Sequence, residues 1–333
     1  MAKTVLVTGA SGFVATHVVE AFLRKGYNVR GTVRSENSAA EVLKAHSEHS
    51  EQLSFAVVPD IAAAHAFDEA VRGVDGIIHT ASPFILNATD FEKELLQPAV
   101  SGTTSVLEAA QTYNPDISRV VITSSFASVL DPMQGQRPGY VYSEADWNPV
   151  TIEQANSSPV LAYLASKTFA ERAAFDYVSE KKPSFSVATL CPPMVYGPVR
   201  HGVSNVKELN TSAGDIYRLI NGSEENVPDT SFWAFADVRD LAEAHVRAYE
   251  KPEAAGQRYL IASSSYSYQQ ICDIIRENFP ELRDVTPEGN AGAPLPPIYK
   301  VDSTKAAEEL GIKFRPLKET IVDMVNSLLK LPK

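Results

Sequence analysis

Residues 5–26 read VLVTGASGFVATHVVEAFLRKG, an apolar run followed by a short turn and an amphipathic stretch. Gly9 and Gly12 lie in the turn, and Ala15 stands where a third glycine often occurs. A Cβ in the turn would keep the backbone away from a pyrophosphate, while the following helix N-terminus supplies N–H donors. The stretch therefore predicts a strand, a dinucleotide-binding turn and a helix, with a tight turn that binds nothing as the alternative.

Five more apolar runs follow in the first 191 residues, separated by amphipathic stretches. They are NVRGTV (28–33), SFAVV (54–58), GIIHT (76–80), RVVITS (119–124) and FSVATLC (185–191). Near-continuous Val and Ile runs are typical of parallel strands covered on both faces. The pattern predicts an α/β protein with a Rossmann-type doubly wound parallel sheet. A ligand should bind at the carboxyl ends of the strands, where strand order reverses.

The sequence pattern changes after Cys191, where the segments PPMVYGPVRHGVSN (192–205) and later PEGNAGAPLPPIYK (287–300) follow. We predict an NADP-binding Rossmann domain over 1–190 and a smaller C-terminal substrate-binding lobe over most of 191–333. Strands and helices around 232–262 should return to the Rossmann domain. The tail RPLKETIVDMVNSLLK (315–330) is amphipathic and predicts a closing helix.

Composition limits the partners. The formal charge of −11 argues against duplex nucleic acid or anionic lipid as a partner, since both need a basic face. No apolar run approaches the ~18 residues of a membrane span, and the initiator Met leads directly into a strand pattern without a secretion signal. Cys191 and Cys272 show no metal or disulfide spacing, which favours the cytoplasm. The chain should be a monomer or a homodimer.

The seven histidines offer no metal-ligand spacing, so we predict no metal site. His46 and His49 fall on a polar helix, and His245 on a helix over DVRDLAEAHV (237–246), where structural roles are expected. Asp237 should cap that helix, and Asp240 stands at its third position.

The chain contains two Tyr-x-x-x-Lys pairs, Tyr163 with Lys167 and Tyr177 with Lys181. The segment NSSPV before the first pair and EKKP after the second predict the two ends of one helix. In a right-handed βαβ unit this helix starts at the carboxyl edge of the sheet, which places Tyr163 beside the ligand. Tyr177 is fourteen residues further on, about 21 Å along the axis. The first pair is therefore predicted to be catalytic and the second structural.

Lys167 shares a helix face with Tyr163, so its ammonium can lie near the phenol and reach a nicotinamide ribose. A tyrosine starts from a pKa of about 10, and moving it toward neutrality requires ~3 to 4 kcal/mol of differential stabilisation of the phenolate. The ammonium is the expected source, so the pKa of Tyr163 should be lowered.

The chain resembles the extended short-chain dehydrogenase/reductases. The resemblance covers nearly the whole chain and rests on TGASGF, VPDI, HTASPF, VITSSFAS, YLASK, PPMVYGP and DVRDLAEAHV, in this order. More narrowly, the chain is similar to the fungal NADPH-dependent aldehyde, ketone and methylglyoxal reductases, relatives of plant dihydroflavonol reductases. This implies an oxidoreductase that uses NADPH/NADP+ to reduce methylglyoxal, branched aldehydes, aryl ketones or ketoesters to alcohols.

The resemblance also implies site residues. Ser125, Tyr163 and Lys167 match the catalytic set, and strand alternation leaves only one of Ser124 and Ser125 facing the substrate. The implied cofactor-binding positions, besides Tyr163 and Lys167, are Gly9, Ser11, Gly12, Phe13, Val14, Arg34, Asp60, Ile61, Thr80, Ala81, Ser82, Pro192, Val195 and Ser212. The implied substrate pocket comprises Phe84, Ile85, Phe126, Met194 and Phe232, for each of which plain core packing is an equal alternative.

Arg34 ends the second predicted strand, where NAD-preferring sites carry an acidic residue. Its guanidinium can pair bidentately with a 2′-phosphate, which favours NADP. Several relatives carry a lysine shortly after this arginine, whereas the next lysine here is Lys44, so the preference should be weaker than usual.

Two other functions stay open. A sugar-nucleotide epimerase or dehydratase would need polar groups for a diphosphate in the second lobe, where Arg200, Arg218 and Arg239 are available. A non-catalytic NADP-sensing protein would typically lack the Tyr/Lys pair, which this chain keeps.

Overall fold

The computed structural model describes residues 2–82, 90–200, 202–203 and 205–332. The strands are β1 (Thr4–Thr8), β2 (Asn28–Val33), β3 (Leu53–Val57), β4 (Gly76–His79), β5 (Arg119–Thr123), β6 (Val141–Tyr142), β7 (Ser186–Cys191), β8 (Met194–Tyr196), β9 (Ala234–Asp237), β10 (Arg258–Leu260), β11 (Ser264–Ser265) and β12 (Lys300–Val301). The α-helices are α1 (Phe13–Arg24), α2 (Glu36–Ala45), α3 (Gln97–Tyr113), α4 (Ile152–Ala155), α5 (Pro159–Lys181), α6 (Thr211–Tyr217), α7 (Val238–Glu250), α8 (Tyr268–Asn278) and α9 (Leu317–Leu328). Two π-helical turns cover Glu92–Leu96 and Ala306–Leu310.

The main sheet has seven strands in the order β10-β7-β5-β4-β1-β2-β3, and every neighbouring pair is parallel. The chain builds outward from β1 to β3 on one side and from β4 to β10 on the other. The strand order therefore reverses between β1 and β4, which confirms the predicted doubly wound sheet. A ligand is expected beside this point, at the carboxyl ends of the strands.

Side chains of β1 explain why the strands are continuously apolar. Val5, Leu6 and Val7 have no exposed surface. Val5 and Val7 pack with α1 and α7, whereas Leu6 faces the other way and packs with α3 and α5. Because successive side chains point to opposite faces, a sheet with helices on both faces needs apolar residues at every position.

The part of the chain after Cys191 contributes to a three-stranded sheet, to the main sheet and to a two-stranded sheet in which β12 pairs with β6. β8, β9 and β11 form a separate three-stranded sheet, and α6, α8 and α9 pack together around an apolar cluster. In contrast, α7 packs on α1, and β10 extends the main sheet next to β7. The helix predicted over 315–330 is α9. The division into two domains stays a prediction.

None of the helices in the described ranges is long and apolar enough to cross a membrane.

Candidate active site

The turn after β1 forms a cradle in which position 9 favours glycine. Gly9 has a φ of +66°, which disfavours other residues, and a Cβ there would lie 3.1 Å from the Cβ and 3.2 Å from the Cα of Ala81. The Gly12 amide donates to the Gly9 carbonyl at 2.9 Å, and Gly12 is the N-cap of α1. The helix N-terminus and the bare backbone suit a pyrophosphate, so these residues fit a dinucleotide.

Two buried threonines tie the cradle to the neighbouring strands. Thr32 Oγ1 accepts from the Gly9 amide at 2.9 Å. Thr8 Oγ1 accepts from the amides of Thr80 at 3.1 Å and Ala81 at 3.0 Å. The loops at the ends of β1, β2 and β4 are thereby held in one arrangement.

A cavity of about 470 Å³ opens at the carboxyl ends of β1 to β4. Its lining residues are Gly9, Ser11, Gly12, Thr32, Val33, Arg34, Val58, Pro59, Asp60, Ile61, Thr80, Ala81 and Ser82. Most of these belong to the predicted cofactor set. The sequence interpretation missed Thr32, Val33, Val58 and Pro59, although all four end β2 or follow β3, at the sheet edge where ligands bind in this fold.

The other predicted cofactor positions lie outside this lining. Phe13 begins α1 and is 7% exposed, and Val14 follows it. Pro192 directly follows β7, Val195 lies on β8 and Ser212 on α6. Contacts of these residues with a cofactor stay predictions.

Ser125, Tyr163 and Lys167 come together at the edge of the cavity. The Ser125 hydroxyl hydrogen-bonds Tyr163. Lys167 Nζ lies 5.7 Å from the centre of the Tyr163 ring and donates to Ser82 Oγ at 2.7 Å. Because Ser82 lines the cavity, the three side chains adjoin the space proposed for the dinucleotide.

Helix α5, which carries Tyr163 and Lys167, has the predicted boundaries. Ser158 is its N-cap and accepts from the Leu161 amide at 3.2 Å, and Lys182 ends it in a left-handed conformation. Tyr177, near the far end, is 8% exposed and donates to Gln111 Oε1. Tyr177 is thus part of ordinary packing, and Lys181 is exposed at the end of the helix.

The structure separates the two candidate serines. Ser125 is the N-cap of a short 3-10 turn over Phe126–Ser128, accepts from the Ala127 amide at 3.1 Å and faces Tyr163. Ser124 is 8% exposed and donates to Glu171 Oε2 at 2.8 Å. Ser125 is therefore the serine that meets the tyrosine.

The electrostatics of the set differ from the sequence prediction. Burial raises the pKa of Tyr163 above its ordinary value, and the hydrogen bond from Ser125 lowers it only in part. Burial also lowers the pKa of Lys167 to about 8. The predicted lowering of the Tyr163 pKa is wrong here, because the prediction included the attraction of the ammonium and ignored the cost of desolvating the phenolate.

Only part of the predicted substrate pocket lies within the described residues. Phe84 and Ile85 lie outside the described residues. Phe126 has no exposed surface and packs between Tyr142 and Tyr299, with ring centres 5.5 and 5.8 Å away. Its place is therefore in the core, where it offers no surface to a substrate. Met194 and Phe232 are half-buried and can still contribute to a pocket.

The three arginines that could serve a diphosphate all form ion pairs. These pairs are Arg200 with Glu20 at 3.5 Å, Arg218 with Asp215 at 2.9 Å, and Arg239 with Asp237 at 2.7 Å. The charges of Arg218 and Arg239 are thereby compensated, whereas Arg200 shares Glu20 with Arg24, so the feature that favoured a sugar-nucleotide substrate is weakened.

The remaining polar candidates have structural roles. His245 is fully buried between Thr123 Oγ1 at 2.7 Å and the Leu241 carbonyl at 2.8 Å. Asp237 caps α7 by accepting from the Arg239 amide at 2.8 Å, as predicted. Asp240 forms an ion pair with Arg315. Within the part of the chain that the structure describes, no three His, Cys, Asp or Glu side chains could jointly hold a metal ion.

Comparison with known proteins gives consistent matches. The model of the NAD dependent epimerase/dehydratase family matches residues 5–262. A putative NADPH-dependent methylglyoxal reductase of Candida albicans is 43% identical over 98% of each chain. The ketoreductase azaE of Aspergillus niger is 39% identical over 99% of this chain and 98% of its own. The crystal structure of yeast methylglyoxal/isovaleraldehyde reductase complexed with NADPH superposes with a TM-score of 0.93, at 36% identity over 98% of each chain.

Proposed function

The chain belongs to the NAD dependent epimerase/dehydratase family, and we propose that it is an NADPH-dependent carbonyl reductase that converts aldehydes and ketones to alcohols. The observation that carries this proposal is the Ser125–Tyr163–Lys167 set at the edge of the cavity. The reductases at 39 to 43% identity support the same activity. Methylglyoxal, branched aldehydes, aryl ketones and ketoesters are the proposed substrates.

The residues that would hold the cofactor follow from the cavity. The backbone of Gly9 and Gly12 would take the pyrophosphate, Arg34 the 2′-phosphate, and Lys167 the nicotinamide ribose. When bound, NADPH supplies the hydride that adds to the carbonyl carbon of the substrate.

The residues of the chain handle the oxygen and the proton. The converging hydroxyls of Ser125 and Tyr163 would bind the carbonyl oxygen and stabilise its developing negative charge. Because its pKa is raised, the Tyr163 phenol is protonated at neutral pH and can donate its proton to the alkoxide. The Lys167 ammonium and the Ser125 hydroxyl then stabilise the phenolate that remains.

The first experiment is a cofactor-oxidation assay on the purified protein. NADPH and, separately, NADH would be mixed with methylglyoxal, branched aldehydes, aryl ketones and β-ketoesters. We expect turnover with NADPH on several of them. Tight NADPH binding without turnover on any carbonyl would contradict the proposal and favour the epimerase or the sensor.

Cofactor preference should depend on Arg34, which is exposed at the end of β2 and lines the cavity. We expect Arg34→Ala to raise the NADPH dissociation constant about 10- to 100-fold, because a bidentate charged contact with the 2′-phosphate is lost. The NADH dissociation constant should change less than about twofold, since NADH lacks that phosphate. Calorimetric titration of both cofactors measures the two effects.

Lys44→Ala is the matched control, because it also removes one positive charge. Lys44 is exposed on the last turn of α2 and does not line the cavity. Its substitution should leave both dissociation constants unchanged. Equal weakening of NADPH and NADH by Arg34→Ala would show that Arg34 does not recognise the phosphate.

We also propose that the protein works in the cytoplasm, as a monomer or a homodimer. Cys191 and Cys272 are both free and buried, as expected in a reducing compartment.

A further inference from the structure

Glu171 is a buried carboxylate that the proposed reaction does not use. It lies on α5, four residues after Lys167 and eight after Tyr163, so the three side chains share one face of the helix. Only 1% of Glu171 is exposed. A buried charge is costly unless it is paired and hydrogen-bonded, so its partners indicate what it holds in place.

The charge of Glu171 is balanced by Arg258 on β10. Arg258 Nε donates to Oε1 at 2.8 Å, and Arg258 Nη2 to Oε2 at 3.2 Å. The guanidinium also donates to the carbonyls of Glu144 and Asp146, both at 2.8 Å, and its centre lies 3.5 Å from that of the Trp147 ring. Burial alone would raise the pKa of Glu171, but Arg258 and the hydroxyl donors hold it below its ordinary value. The carboxylate is therefore charged at neutral pH.

Three hydroxyls also meet this carboxylate. Ser124 Oγ donates to Oε2 at 2.8 Å, Ser128 Oγ to Oε2 at 2.5 Å, and Thr189 Oγ1 to Oε1 at 2.6 Å. Ser124 directly follows β5 and precedes Ser125, and Ser128 ends the turn after Ser125, whereas Thr189 lies on β7. Glu171 thus binds both sides of the segment that presents Ser125.

We propose that Glu171 is a positioning residue that orients Ser125 toward Tyr163 through the hydroxyl of Ser124. Ser124 directly precedes Ser125, and Ser128 Oγ, which meets Glu171, also lies 2.7 Å from the Ser125 carbonyl, so holding these hydroxyls fixes the backbone that presents Ser125. Glu171 and Tyr163 belong to the same helix, so a single rigid element sets the separation of the two catalytic hydroxyls. This inference rests on the proposed carbonyl reductase activity.

The test compares two variants that each remove one hydroxyl donor from the carboxylate. Ser124→Ala breaks the link to Ser125, whereas Thr189→Val breaks an equivalent bond on β7. We expect Ser124→Ala to lower kcat about tenfold, since small misplacements of catalytic groups are costly, with NADPH KM within about twofold of wild type. Thr189→Val should retain kcat within about twofold. Calorimetry should give both variants wild-type NADPH affinity.

Glu171→Gln should lower kcat further, about 100-fold, because it weakens both flanking bonds and leaves Arg258 without its counter-charge. Thermal denaturation shows whether the Glu171→Gln protein folds. If it does not, the Ser124→Ala and Thr189→Val proteins alone test the positioning role of Glu171. Equal kcat values for Ser124→Ala and Thr189→Val, whether reduced or unchanged, would overturn the positioning role. A wild-type protein that reduces no carbonyl would overturn the proposed function, and this inference with it.

Discussion

Tyr163→Phe should lower kcat for carbonyl reduction about 1000-fold, because the substitution removes the only acidic proton of the side chain proposed as general acid. The raised pKa of Tyr163 means that this proton is present throughout the neutral range. The dissociation constant of NADPH should change less than about twofold, since the cradle around Gly9 is untouched. Single-turnover reduction and calorimetric titration measure the two quantities separately.

Tyr177→Phe is the matched control, since it removes the same atom from the second Tyr-x-x-x-Lys pair. The Tyr177 hydroxyl donates to Gln111, so its loss should cost about 1 kcal/mol of the free energy of unfolding. The kcat value should stay that of the wild type. Full activity in the Tyr163→Phe protein would eliminate Tyr163 as the proton donor.

The main sheet could be predicted because its strands are buried on both faces. β2 has the predicted residues, and β3 differs by one residue at each end. The short strands β6, β11 and β12 were not predicted, because two residues carry no periodicity. Their pairing depends on contacts that only the folded chain brings together.

Within the site, the residues found from sequence are those whose chemistry needs a particular residue type. Gly9 and Arg34 are of this kind. Thr32 was missed because its hydroxyl contributes only by lying beside the turn, where it accepts from the Gly9 amide, and many residue types could end that strand. Glu171 was missed because its partner Arg258 is 87 residues away. The predicted direction of the Tyr163 pKa shift was wrong, because a sequence motif does not show how deeply the phenol is buried.

Reductase activity should fall at alkaline pH as Lys167 loses its proton. Burial lowers the pKa of Lys167 to about 8, so its ammonium is charged below that pH and neutral above it. The ammonium is proposed to stabilise the Tyr163 phenolate, whereas Tyr163 itself keeps its proton to higher pH. We therefore expect kcat/KM for NADPH, which reports the free protein, to be level below about pH 8 and to fall about tenfold per pH unit above it.

Two variants separate Lys167 from other groups that could cause this fall. Lys167→Met should be about 100-fold less active, and its profile should lack the fall near pH 8, because no titrating ammonium remains. Lys167→Arg keeps its charge through the alkaline range, so whatever activity it retains should also show no fall there. The same fall in the Lys167→Met protein would assign the titration to another group, and the proposed role of the ammonium would be lost. The direction of the pH dependence is a second test of the role of Lys167. A rise of activity through pH 8 would mean that the neutral amine of Lys167 is the active form, which is incompatible with charge stabilisation of the phenolate.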